Sequence, residues 1–146
     1  MKKIRKAVTA LAMTAGIVLT SAVATAGTAQ AYPSPGFTCI NGVGTDPVFG
    51  GSFLCNYGIG KPQHHDFPDG STQVFGIGTD RNVWTRLRTP NGTLSGWVSL
   101  GGGPFQTGVS IVAADGYYLK LSAGTLSPAR QYYIERSVLG IFGSWH

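Results

Sequence analysis

Glycine sets the limits on what this chain can fold into. Twenty of its 22 glycines and all 16 aromatic residues lie beyond residue 31. Glycine weakens helix interiors and supplies the backbone freedom that tight turns need, while aromatic residues favour strands. Short strands joined by tight turns are therefore expected, and long helices are not. Disorder is a poor fit, because it needs low hydrophobicity and high charge, whereas only 12% of residues here are charged.

The segment ahead of that glycine-rich region has a different character. Lys2, Lys3, Arg5 and Lys6 precede an apolar run from Ala7 to Val23, and Ala29-Gln30-Ala31 follows. A charged start, an apolar stretch and a small-x-small end predict a secretory signal peptide, cleaved after Ala31. Residues 32–146 would then carry seven basic side chains against six acidic ones. The apparent basicity thus belongs to the leader, and a nearly neutral exported protein is expected. Nucleic-acid binding through a basic surface is excluded as the default reading, and no second apolar run is long enough to span a membrane. At 115 residues, one domain with a modest core is expected.

Cys39 and Cys55 are the only cysteines. In an oxidising compartment such a pair is expected to be bridged, and the spacing is not that of a Cys-x-x-Cys redox motif. Residues 32–66 read as a glycine-rich N-terminal segment that carries this bridge. Its apolar pieces Val48-Phe49 and Ser52-Phe53-Leu54 are long enough only for strands. Gly-x-Gly recurs at Gly42, Gly58 and Gly76, but none of these opens an apolar helix, so turns and bulges explain them better than phosphate binding.

Residues 67–103 form the most legible unit. Asp69-Gly70 signals a turn, and strands are predicted at Thr72–Ile77, Val83–Arg88 and Gly96–Leu100, separated by turns at Gly78–Asn82 and Pro90–Gly92. Residues 104–146 repeat this punctuation. Asp69-Gly70 and Gly78-Thr79 recur 46 residues later, while Trp84 and Trp97 are answered 48 residues later by Tyr132 and Trp145. A two-residue insertion near Leu126-Ser127-Pro128 accounts for the change of offset. Periods in the forties are typical of propeller blades.

The run from Asp69 to Trp84, with Ser95-Gly96-Trp97-Val98-Ser99-Leu100-Gly101-Gly102, resembles one blade of the PLL-like β-propeller lectin family. The second unit resembles it more loosely, with Tyr132 at the place of the strand tryptophan. The resemblance implies an all-β protein of antiparallel meanders and blade-like repeats. It also implies binding of sugars in clefts between blades. Two units cannot close a propeller. Either several chains complete a ring, or residues 37–60 cover the open face within one chain.

A sugar site needs an aromatic ring under the C–H face of the sugar and a few fixed polar groups. Trp84, Arg86, Trp97 and Asp80 are the candidates in the first unit. Tyr132, Trp145 and Arg130 are their equivalents in the second. The competing reading makes these rings core. His64-His65-Asp66 invites a metal-site reading, but neighbouring strand residues face opposite ways, so a solvated loop is expected and no metal or other cofactor is called for. For a paired-carboxylate hydrolase only Asp115 and Glu135 could converge, no Gly-x-Ser-x-Gly elbow occurs, and catalysis is not expected. Asn91-Gly92-Thr93 matches a glycosylation pattern, although Asn-Gly has its own reason to stand in a hairpin. The expectation is a secreted, non-catalytic carbohydrate-binding module with an extracellular glycan as partner, either alone or as a homo-oligomer. The alternative is a small disulfide-stapled structural or interaction protein, such as an inhibitor or toxin-like factor, with a protein partner.

Overall fold

The computed structural model describes residues 30–56 and 58–146, so the predicted leader lies outside the described residues up to Ala29. Among the described residues there are eleven strands and no helix. A first sheet contains β2 (Thr38–Ile40), β3 (Val43–Asp46) and β4 (Gly50–Leu54). The central sheet has the order β1-β5-β6-β7-β8, formed by Gln30–Pro33, Gln63–Asp66, Thr72–Ile77, Val83–Arg88 and Val98–Gly101. A third sheet joins β9 (Ser110–Asp115), β10 (Tyr118–Leu126) and β11 (Ala129–Arg136). All pairings are antiparallel between neighbours. The expected all-β class of antiparallel meanders is what the chain adopts.

The sheets lie in series, which is why β6 is buried along its whole length. One face of β6 turns Phe75 and Ile77 into the main core. There, with Val83 of β7 and Phe67, they meet Leu119, Leu121, Ala123 and Ile134 of the third sheet. The other face receives the first sheet. The Phe53 ring lies directly on Gly76, with no room for a Cβ between them. A β-bridge also ties Phe53 to Gly78. Residues of the N-terminal segment thus cover a face that the first unit alone would leave open.

The two units share their turns in detail. The Thr89–Thr93 turn closes through Thr89 N–H to Thr93 O, and Ser137–Ile141 repeats that bond 48 residues on. The bridges Arg88–Leu94 and Arg136–Phe142 are related by the same step. Gly70 and Gly116, 46 residues apart, both adopt positive φ. The strands between these landmarks do not follow one clean step. Phe75 pairs with Thr85, whereas Leu121 pairs with Ile134, one residue beyond the position that a single insertion near Pro128 would give. A one-residue slip exchanges the two faces of a strand. The exchange lets β10 meet Phe75 and Ile77 from the opposite side.

Three expectations need correction. His64 and His65 are not in a solvated loop but in β5, at 2% and 0% exposure, because β5 is sandwiched between β1 and β6. The central sheet accordingly takes in Gln63–Asp66 and Gln30–Pro33, both ahead of the boundary placed at residue 67. Val48 and Phe49 form a turn rather than a strand. Asp46 imposes it, with Oδ1 accepting both the Val48 and Phe49 amides.

Asp46 does more than cap that turn. Its Oδ2 accepts from Ser34 Oγ and from His64 Nε2, each at 2.6 Å, and all three residues are buried. The cluster ties the chain just after β1 to the end of β3 and the middle of β5. Ser34 bonds the carboxylate and not the imidazole, so the trio lacks the nucleophile–base contact of a serine hydrolase. The Cys39–Cys55 bridge is formed and links β2 to the residue after β4. In the chain-entropy view a loop of this length stabilises by about 3 kcal/mol. The predicted cleavage point after Ala31 falls inside β1, and Tyr32 on its far side is held by a 3.2 Å bond from its hydroxyl to Asp66.

Burial alone would raise the Asp46 carboxyl, but donors from His64, Ser34, Phe49 and Val48 outweigh it and hold it at about 2 against an ordinary 3.8. The stability this provides is complete above pH 4 and is lost as pH falls toward 2. Asp46→Ala should cost about 3–5 kcal/mol, because it strands a buried histidine and a buried hydroxyl. Thermal melts between pH 5 and 2 should show the parent losing its advantage over the variant.

Candidate functional site

A cleft of about 390 Å³ opens between the first and central sheets. Gly51, Ser52 and Phe53 of β4 form one wall, and Gly78, Thr79, Asp80, Trp84 and Trp97 form the other. Three of the residues expected from sequence, Asp80, Trp84 and Trp97, are therefore brought together. Both tryptophans are partly exposed.

Each ring is fixed by a glycine. A Cβ at Gly51 would lie 2.6 Å from the Trp97 ring, and one at Gly78 would lie 2.6 Å from Trp84. The Phe53 ring meets Trp97 edge to face at 5.4 Å, a favoured arrangement for aromatic pairs. Trp84 Nε1 donates to the Asp80 carboxylate at 3.0 and 3.2 Å. The Asn82 amide and side chain donate to the same carboxylate at 3.1 and 2.9 Å. Burial would push the Asp80 carboxyl up, but these donors prevail and hold it below the ordinary carboxylate range.

Arg86 serves the site without lining it. Its Nε donates to Ser95 O at 2.6 Å and its guanidinium to Phe49 O at 2.9 Å. The same guanidinium lies 5.5 Å from the centroid of the Trp97 ring. Arg86 thus pins the strand that carries Trp97 against the turn that precedes β4.

The second-unit candidates go elsewhere. Trp145 donates from Nε1 to Leu100 O at 2.9 Å and packs 4.8 Å from Phe105, while Tyr132 lies 6.0 Å from that same ring. Phe105 is fully buried. The position between the central and third sheets that corresponds to the cleft is thereby filled, so Tyr132 and Trp145 are core partners rather than cleft walls. Glu135 pairs with Lys120 across the β10–β11 ladder at 3.3 Å, and Asp115 stands opposite Tyr118 at the far end of β9.

Sequence reasoning missed Gly78 and Thr79 of the turn before Asp80 and the whole β4 wall of Gly51, Ser52 and Phe53. A signal for that wall existed. Gly50-Gly51-Ser52-Phe53 is echoed by Gly101-Gly102-Gly103-Pro104-Phe105, and in each case a glycine of the run lies under a tryptophan while the phenylalanine packs on that same ring. No protein-family model matches the chain, and no curated protein matches it.

Gly51→Ala tests the cradle. The added methyl should displace Trp97 and lower stability by about 1–3 kcal/mol, the usual range for overpacking. Tryptophan fluorescence should change in wavelength while the fold, followed by far-UV circular dichroism, is retained.

Proposed function

We propose that the protein is a secreted, non-catalytic carbohydrate-binding module whose blade-like units are akin to those of PLL-like propeller lectins. The observation that carries this reading is the cleft itself, where Trp84 and Trp97 stand over the buried Phe53 beside the polar groups of Asp80, Ser52 and Thr79. Sugar rings bury their C–H faces on such aromatic surface and spend their hydroxyls on such polar groups. The disulfide suits an oxidising, extracellular setting, and the apolar leader suits export. The recurrence of turn bonds at 48 residues favours related units over chance similarity. The purified protein should bind members of a broad glycan array. Trp84→Ala and Trp97→Ala should each abolish that binding while leaving a cooperative melt. Failure of the folded protein to bind any mono- or polysaccharide would remove the lectin reading.

A second reading, a small interaction protein, draws on the tip of the Ser137–Ile141 turn. Val138, Leu139 and Ile141 are 65, 81 and 67% exposed there, where the first unit carries Pro90, Asn91 and Thr93. A cluster of this kind is a recognised mark of a contact surface. Whether that partner is a second copy is answered by light scattering. A discrete oligomer that dissociates in Leu139→Ser assigns the tip to self-association. A monomer whose mass is unchanged by the substitution leaves it to a different protein.

A further inference from the structure

Among the described residues, Asp80 is the only ionisable side chain lining the cleft. Its carboxylate makes no ion pair with any cationic side chain among the described residues. Arg86, the nearest arginine in sequence apart from Arg81, is committed to two backbone carbonyls. Arg81 points its guanidinium to Phe105 O at 3.4 Å. The cleft therefore holds one uncompensated negative charge beside two indole rings and a phenyl ring.

At Trp84, charge and ring act in the same direction, whereas the Trp97 ring already carries the Arg86 guanidinium. The face of an indole carries the negative end of a quadrupole, so it attracts cations as well as C–H groups. The carboxylate has been turned toward the Trp84 ring by the Trp84 Nε1 bond. Its Oδ2 takes Asn82 Nδ2 at 2.9 Å and shares the Trp84 Nε1 proton at a longer 3.2 Å, the contact that an incoming ammonium group would replace. An ammonium group on a ligand would meet a fixed, already ionised acceptor. A neutral sugar would find only a hydroxyl acceptor there, and a uronic acid would find repulsion.

Resting on the carbohydrate reading above, we infer that the cleft selects sugars bearing a free amine, with the ammonium group on Asp80 and the sugar ring on Trp84 and Trp97. Amino-sugar polymers with unsubstituted amines are the corresponding ligand class. The same geometry disfavours N-acetylated counterparts, because acylation removes the charge and replaces it with a group that cannot donate three bonds. Asp80 stays ionised well into the acidic range, so the preference should hold at mildly acidic pH and vanish once alkali neutralises the ligand's amine.

The test is a titration of tryptophan fluorescence with four probes: a β-1,4 glucosamine oligomer, its fully N-acetylated counterpart, the matching glucose oligomer, and tetramethylammonium ion. The expected result is that the glucosamine oligomer binds about five-fold more tightly than either neutral oligomer at low salt, with the margin shrinking as salt is added. Asp80→Asn keeps an acceptor for Trp84 Nε1 and should erase that margin, read as the ratio of the glucosamine to the glucose oligomer affinity. Equal binding of all three oligomers to the parent protein overturns the amine preference and leaves the carbohydrate reading intact. Binding of tetramethylammonium as tight as that of the glucosamine oligomer also overturns it, because the site would then be a cage for bare cations. Binding of none of the four by the folded protein overturns the amine preference, while the carbohydrate reading falls only if the broad glycan array is blank as well.

Discussion

Tryptophan laid on glycine is the contact from which the rest of this molecule follows. Trp97, just ahead of β8, rests on Gly51 of the first sheet, and Trp145, near the end of the chain, rests on Gly102 at the end of the central sheet. Each glycine removes the Cβ that would hold the ring away, so sheet and ring approach to backbone contact. Each ring is then closed from the side by a phenylalanine from the same glycine-bearing segment. Sheets joined in this way stack in sequence order, and the stacking buries β6 on both faces. A thin core thereby becomes two.

The two joints differ in one respect, and the proposed sugar site depends on it. Between the central and third sheets Phe105 sits fully buried among Trp145 and Tyr132, and the joint is solid. Between the first and central sheets Phe53 is drawn down onto Gly76. The space above it, between Trp84 and Trp97, is left open. The Asp46 cluster stabilises the open side from beneath by fixing the turn at Val48 and Phe49, whose carbonyl in turn holds Arg86 under Trp97. A buried carboxylate remote from the cleft is thus coupled to the orientation of a ring inside it.

Much of this was legible in the sequence, and the parts that were not share a cause. The strands Thr72–Ile77 and Val83–Arg88 fall where alternation and turn signals put them, because local chemistry decides short antiparallel hairpins. The disulfide follows from pairing two cysteines, and Asp80, Trp84 and Trp97 converge because they belong to one hairpin and its next strand. Tyr132 and Trp145 went astray because similarity of position could not reveal that Phe105 fills their space. His64 and His65 look like surface residues in sequence. Their burial depends on β1 and Asp46, partners 18 or more residues away that no local pattern announces. The face exchange in β10 is likewise a long-range matter, since only packing against Phe75 and Ile77 decides which side of that strand is inside.

For the proposed binding role, the glycine beneath Trp97 has a kinetic consequence. A ring seated on the Gly51 backbone and flanked by Phe53 and Arg86 is held in its orientation by the fold itself. The entropy of ordering it was spent when the chain folded, not when a partner arrives. Encounter then needs no rearrangement, and residence time reports directly on the strength of the contact surface.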